Sequence, residues 1–193
     1  MIEYIQDLLP ILERRIKKYH VDFSLPLIAE SWEEVLHRSF GELNINTTWT
    51  PSRSHAVGED MRIEGIDNSR ISCKSGQLMN NRTHGSCVKF NGGRSSSRVT
   101  LEDKLNHFCA SHDDYYFLLA KKKPFNKTYK LIIFESPRCC VDQLTWIEHS
   151  GGKQWVGNGP FEAIISKSMS SQLWTTLPLN LIERIYEIDC RED

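Results

Sequence analysis

The stretch Gly58–Leu78, GEDMRIEGIDNSRISCKSGQL, constrains the fold most, because two alternating segments flank a turn. Met61 and Ile63 alternate with polar residues in the first segment, as Ile71 and Cys73 do in the second. The Asp, Asn and Ser between the segments favour a turn. Since the side chains of a strand alternate between two faces, this pattern predicts a β-hairpin with one face in the core. The opposite face then carries Asp60, Arg62, Glu64, Ser72 and Lys74.

Helical and strand patterns alternate along the rest of the chain. Leu27–Phe40 predicts an amphipathic helix, residues 2–19 a helix that Pro10 kinks or ends, and Thr100 with Asp103 the start of a third helix. Residues 76–99 are polar and predict a long loop. Strands are predicted at 45–50, 114–122, 129–136 and 161–178, a short helix at 141–147, and a helix or strand at 177–188. We therefore expect a single α/β domain with a central mixed sheet flanked by helices.

Composition is that of a water-soluble globular protein, with 39% apolar and 25% charged residues. No run reaches the roughly 18–20 apolar residues that a membrane-spanning helix needs. The N-terminal segment carries Glu3 and Asp7, and it lacks the basic start and continuous apolar stretch of a signal peptide. A cytoplasmic protein is the expectation.

The cysteines and histidines give little indication of a metal site. None of the six cysteines forms a C-x-x-C pair, and the seven histidines show no H-x-x-x-H spacing. Cys73 and Cys109 fall where core residues are expected, which favours reduced, buried thiols. The adjacent pair Cys139 and Cys140 has no role that the sequence indicates.

Charge is distributed unevenly although the net charge is only −1. From Asn68 to Leu101 the chain has no Asp or Glu, and it has six basic residues. A local positive field of this kind attracts phosphate groups. The six are Arg70, Lys74, Arg82, Lys89, Arg94 and Arg98.

The polar face of the hairpin suits phosphodiester hydrolysis. That reaction needs a divalent metal that polarises the phosphate and activates water, carboxylates that hold the metal, and a cation near the scissile phosphate. Mg²⁺ prefers oxygen ligands and takes only one or two protein carboxylates. Asp60 facing Lys74 supplies a carboxylate and a cation, and Lys74 can position the attacking water.

The hairpin resembles the active-site motif of the PD-(D/E)xK nuclease superfamily, and specifically that of type II restriction endonucleases. Asp60 takes the place of the motif's Asp, with Glu59 where proline is usual, and Ser72-Cys73-Lys74 takes the acid-x-Lys place twelve residues further on. The resemblance covers residues 26–136, as a catalytic core between an N-terminal helical segment, 1–25, and a C-terminal part, 137–193. It implies a restriction-endonuclease-like fold for one nuclease domain, 1–193.

Ser72 departs from the motif because it replaces an acid that would bind metal. In the family, a glutamate of the preceding helix often serves as a further metal ligand. The resemblance therefore implies that Asp60 and Glu33 hold Mg²⁺, that Lys74 positions water, and that Ser72 supports the site by hydrogen bonding. Other acids that can replace the missing carboxylate are Glu34, Glu64 and Glu102.

Two later segments are candidates for DNA contact. Arginine pairs with guanine edges or phosphates, and glutamine can read adenine. The first segment offers Lys89, Arg94, Ser95, Ser96 and Arg98, and the second offers Ser171 and Gln172.

The resemblance implies sequence-specific cleavage of double-stranded DNA. It also implies a homodimer that matches a palindromic site, and a cognate DNA methyltransferase in the same system, as a functional rather than physical partner. Two alternatives remain open. One is a structure-specific resolvase or nickase of the same superfamily. The other is a non-catalytic DNA- or RNA-binding module, which Ser72 favours.

Overall fold

Three α-helices and a large mixed β-sheet form the part of the chain that the structure describes. The computed structural model describes residues 4–49, 60–95, 100–110, 113–149, 151–167 and 171–191. The helices are α1 (Ile5–Asp22), α2 (Ala29–Glu42) and α3 (Leu101–Cys109). The predicted fold class, α/β with a central mixed sheet, is confirmed at this level.

Eleven strands belong to the sheet within the described residues. They are β1 (Thr47–Trp49), β2 (Met61–Ile63), β3 (Arg70–Asn81), β4 (Gly85–Arg94), β5 (Tyr115–Lys121), β6 (Thr128–Glu135), β7 (Thr145–His149), β8 (Gln154–Asn158), β9 (Glu162–Ser166), β10 (Gln172–Pro178) and β11 (Arg184–Asp189). The main path runs β11-β6-β5-β3-β4-β10-β9-β8-β7, and β2 joins β1 to β3. Strand β3 pairs parallel to β5, whereas its pairings with β2 and β4 are antiparallel.

The sheet separates two hydrophobic cores. Helices α1 and α2 cover one face, where Leu12, Trp32 and Phe117 are fully buried. The second core contains Phe90, Phe161 and other apolar residues of β4 to β6 and of the strands that follow. The hairpin prediction is confirmed here, because Met61, Ile63, Ile71 and Cys73 all lie in the first core.

Two predictions about secondary structure are wrong. Pro10 neither ends nor breaks α1, which continues through it, because Ile5, Leu8, Leu12 and Ile16 form one buried stripe along the helix. Much of the expected loop at 76–99 is instead the hairpin of β3 and β4. Asn81 Oδ1 accepts hydrogen bonds from the backbone N–H of both Thr83 and His84, which closes the turn.

The C-terminal part contains further differences. The short helix expected at 141–147 is one 3-10 turn, Val141–Gln143, followed by β7. Residues 161–178 form two strands, β9 and β10, and the last segment is a strand, β11, after a 3-10 turn. Cys109 is exposed, which contradicts its expected burial, because the end of α3 meets solvent. The capping box of Thr100 and Asp103 at the start of α3 is confirmed.

Gly76 on β3 provides a test of the packing between the two central strands. A Cβ atom added there would lie 2.8 Å from Cγ2 of Val88 and 3.1 Å from Cδ2 of Leu118, both buried. We expect Gly76→Ala to lower the free energy of unfolding by roughly 1–3 kcal/mol, measured by urea denaturation. Gly41→Ala is the matched control, because no atom lies within 4 Å of its added Cβ.

That control should be neutral or stabilising, since alanine is the better helix former at a position in α2. A Gly76→Ala variant as stable as the wild type would contradict the tight packing described here.

None of the helices among the described residues is long and apolar enough to cross a membrane.

Candidate active site at one end of the sheet

Asp60, directly before β2, is the centre of a hydrogen-bonded cluster. Its Oδ2 atom accepts hydrogen bonds from Ser72 Oγ at 3.2 Å, from the Cys73 backbone N–H at 2.7 Å and from Lys74 Nζ at 3.1 Å. The backbone N–H of Asp60 donates to the carbonyl of Ile71 at 3.1 Å, which extends the hairpin by one residue. The structure thus brings Asp60, Ser72 and Lys74 together, at the positions that the alternation predicts.

Asp60 keeps one oxygen that can serve another partner. All three of these hydrogen bonds go to Oδ2, and no described residue donates to Oδ1. The side chains of Asp60 and Lys74 are 22% and 24% exposed, so the pair is reachable from solvent. A carboxylate oxygen in this position can accept a cation without breaking the hairpin contacts.

Lys74 remains a cation at neutral pH. Burial lowers its pKa, but the charge of Asp60, the hydrogen bond to Asp60 and the charge of Asp113 together outweigh burial and raise the pKa above the usual value. A lysine held in this state can position water or a phosphate oxygen, and it cannot accept a proton as a general base.

Helix α2 carries Glu33 toward the same cluster. Trp32 is fully buried, and its indole N–H donates to the carbonyl of Phe117 on β5 at 3.0 Å, which fixes the helix over the sheet. Leu36, one turn later, is also fully buried. Glu33 borders this apolar stripe and is itself only 6% exposed.

The environment of Glu33 favours its neutral form. Burial, followed by the negative charge of Asp60, raises its pKa to about 7, while the indole of Trp49 and the charge of Lys74 oppose the shift. Trp49 Nε1 is buried and has no hydrogen-bond partner of normal geometry among the described residues. Two neighbouring carboxylates with one raised pKa are typical of a site where a bound cation would relieve their repulsion.

The other acids considered as replacements for Ser72 lie on exposed surfaces. Glu34 forms an ion pair with Arg38 one turn along α2, at 2.7 Å. Glu64 and Glu102 are exposed. Among these acids, Glu33 has the environment that suits a shared cation site.

Sequence reasoning missed two acids at the start of β5. Asp113 contributes negative charge at Lys74 and at Cys73. Asp114 accepts two side-chain hydrogen bonds from Arg70, at 3.0 and 3.1 Å, and these hydrogen bonds lower its pKa. The only available signal was the Asp-Asp pair before an apolar strand, and its meaning depends on the parallel pairing of β3 with β5.

The strand register places several DNA-contact candidates toward the same end of the sheet. Gly76 pairs with Phe90 in the antiparallel β3–β4 ladder, so the end of β4 at Arg94 lies toward the Lys74 side. Gln172 on β10 pairs directly with Arg94. Lys89 lies further along β4, with its Nζ 5.7 Å from the ring centroid of Trp174. Ser96 and Arg98, like Glu59 of the motif, lie outside the described residues.

Ser95 and Ser171 converge on a buried lysine. Lys104 of α3 is 1% exposed, and its Nζ donates to Ser171 Oγ at 3.0 Å and to Ser95 Oγ at 3.4 Å. Ser171 is fully buried, and Gln172 is 8% exposed. Burial lowers the pKa of Lys104. In this structure, therefore, the two serines join α3 to β10, and Arg94 is the exposed side chain beside them.

Comparison of the chain with protein-family models, with curated protein sequences and with solved structures gives no match.

Proposed function

We propose that this protein is a Mg²⁺-dependent endonuclease that hydrolyses phosphodiester bonds of double-stranded DNA. The observation that carries the proposal is the cluster in which Lys74 and Ser72 donate to Asp60 while the buried Glu33 feels the charge of Asp60. A carboxylate pair with an adjacent fixed cation is the arrangement that metal-assisted hydrolysis requires.

The donor set fits a hard divalent cation. Asp60 Oδ1 and the Glu33 carboxylate are oxygen ligands, and Mg²⁺ takes one or two of these and retains several waters. The buried indole N–H of Trp49, beside Glu33, would suit an oxygen atom of such a hydrated ion. When bound, Mg²⁺ would polarise the phosphate and make water more acidic.

The chain's own residues would then divide the work. Lys74 presents a positive charge next to Asp60, where it can hold the attacking water and balance the charge that develops on the phosphate. Ser72 donates to Asp60 and so orients that carboxylate, which accounts for a hydroxyl in place of an acid. Glu33, once ionised, would complete the pair of metal ligands.

The finer proposal is a type II restriction endonuclease, which acts as a homodimer at a palindromic site and has a cognate methyltransferase. It is supported by the acid-free segment 68–101, whose basic residues Lys74 and Arg94 lie toward one end of the sheet. Lys89 and Gln172 would add contacts to the phosphates or to base edges.

A second candidate is a non-catalytic DNA- or RNA-binding module. It is favoured by Ser72, which fills with a hydrogen bond the place of a metal-binding acid. In that case the basic residues would bind phosphate and the hairpin would be structural.

A digest of long, unmethylated phage DNA with purified protein, with and without Mg²⁺, tests the proposal. Discrete, metal-dependent bands on an agarose gel are expected, and the ends of the fragments would give the recognition site. A smear would exclude sequence specificity, and cleavage confined to branched DNA would indicate a resolvase. Intact DNA of every form with both Mg²⁺ and Mn²⁺ would contradict the catalytic proposal and favour the binding module.

A further inference from the structure

Two thiols and a carboxylate meet where α3 ends, far along the chain from one another. We call Cys109, Cys140 and Asp142 the thiol cluster. Their potential ligand atoms all lie within 4.8 Å of one another, and the two sulfur atoms are 3.4 Å apart. This is the one such grouping of His, Cys, Asp or Glu among the described residues.

The backbone around the thiol cluster is held in place by other contacts. Cys109 is the last residue of α3, whereas Cys140 and Asp142 lie at the 3-10 turn Val141–Gln143. The side chain of Gln143 donates to the carbonyl of Pro137 at 2.7 Å, and the indole of Trp146 donates to the carbonyl of Val141 at 3.1 Å. The ligand atoms are therefore brought together by the fold itself.

The chemistry of the donors selects among metals. Thiolate sulfur suits zinc and other soft or borderline ions, and a carboxylate oxygen completes such a set, whereas Mg²⁺ and Ca²⁺ require oxygen ligands throughout. Zinc–sulfur bonds of about 2.3 Å in a tetrahedral site place two sulfurs somewhat under about 4 Å apart. The observed separation of 3.4 Å needs only a small adjustment to reach that geometry.

We propose that Cys109, Cys140 and Asp142 bind one zinc ion, with water as the fourth ligand. The ion joins the end of α3 to the segment that leads into β7, and so its role is structural. The proposal is independent of the proposed nuclease activity, since it uses none of the same residues. The absence of any C-x-x-C pair argues against zinc only when the ligands are close in sequence, and here the two sulfurs are 31 residues apart.

Cobalt titration of the reduced, full-length protein tests this site directly. Co²⁺ bound by thiolates in a tetrahedral site gives charge-transfer absorption in the near ultraviolet and intense visible bands, and Zn²⁺ should displace it at one equivalent per chain. Cys109→Ser is a suitable variant because Cys109 is exposed and the change is small. We expect it to lower the zinc affinity by at least the roughly 10- to 100-fold that loss of an outer-shell partner costs.

Cys139→Ser is the matched control. Cys139 is adjacent to the cluster, but its thiol donates to the carbonyl of Ser136 instead. This variant should keep the cobalt spectrum, and zinc at about 100 times its Kd should raise its melting temperature, like that of the wild type, by roughly 5–10 °C. Cys109→Ser and Asp142→Asn should show a much smaller rise.

Two outcomes would overturn the proposal. One is a reduced wild-type protein that gives no thiolate–cobalt absorption, including the case in which the two thiols only form a disulfide when a peroxide is added. The other is a cobalt spectrum that persists at full strength in Cys109→Ser, which would place the metal elsewhere.

Discussion

Replacement of Lys74 by methionine is expected to lower the rate of Mg²⁺-dependent DNA cleavage by about 100- to 1,000-fold, the range found when one preorganised charge-stabilising group is removed. Methionine keeps the apolar stem of the side chain and removes the ammonium group, which donates to Asp60 at 3.1 Å. Neither the attacking water nor the charge on the phosphate would then have its cation. Single-turnover cleavage of a plasmid, followed on agarose gels, measures the effect.

The control for Lys74→Met is Lys130→Met. Lys130 lies on β6 and is partly buried, like Lys74, but it pairs across the sheet with Glu187 of β11. Lys130→Met should cleave DNA at close to the wild-type rate. Binding of a labelled duplex without Mg²⁺ should change little in Lys74→Met, since this is one charge of a larger basic surface. A Lys74→Met variant that folds normally and cleaves at the wild-type rate would remove Lys74 from the mechanism.

The second large effect concerns stability, and its sign depends on pH. Without divalent cations at pH 8, Glu33→Gln should be more stable than the wild type by roughly 2–3 kcal/mol, measured by urea denaturation. Burial and the charge of Asp60 raise the pKa of Glu33 to about 7, from the ordinary value of 4.5. The folded protein therefore binds more protons at this position than the unfolded chain does between those two values.

That difference sets the direction of the pH dependence. When the folded state holds the extra proton, stability falls as the pH rises, so the contribution of Glu33 is lost from about pH 4.5 through about pH 7. The glutamine variant has no such contribution. The advantage of Glu33→Gln should consequently be large at pH 8 and vanish near pH 4.5.

Addition of Mg²⁺ should reverse the order at pH 8. The cation offsets the repulsion between Glu33 and Asp60, and it stabilises the wild type in proportion to its binding. Glu33→Gln, which has lost one metal ligand, should gain less and should cleave DNA poorly. Glu34→Gln is the matched control, because Glu34 pairs with Arg38 on the exposed side of α2 and should alter neither property.

A Glu33→Gln variant that is less stable than the wild type at pH 8 without metal would falsify the role given to Glu33. Equal stability of the two proteins from pH 4.5 to pH 8 would do the same.

The catalytic hairpin could be predicted from the sequence because its determinants are local. Alternation assigns Asp60, Ser72 and Lys74 to one face, and a short turn brings the two strands together. Glu33 could be proposed because it borders the apolar stripe of a clear amphipathic helix. In each case a regular repeat of the chain fixes where the side chain points.

Long-range pairing could not be predicted in this way. Asp113 comes close to Lys74 only because β5 lies parallel to β3, and no local pattern selects that neighbour. The hairpin of β3 and β4 was missed because its glycines and serines are typical of loops, while its strand pairing depends on partners across the sheet. The thiol cluster joins two segments whose proximity is likewise set by tertiary packing.

The order of strands also bears on how the molecule avoids joining others of its kind. A sheet that does not close has terminal strands whose backbone groups can template a neighbour, and charged side chains there discourage such growth. The path ends at β11 and β7. Arg184, Glu187 and Asp189 lie on the first, and Glu148 and His149 on the second. Both borders therefore carry electrostatic protection against amyloid-like strand addition.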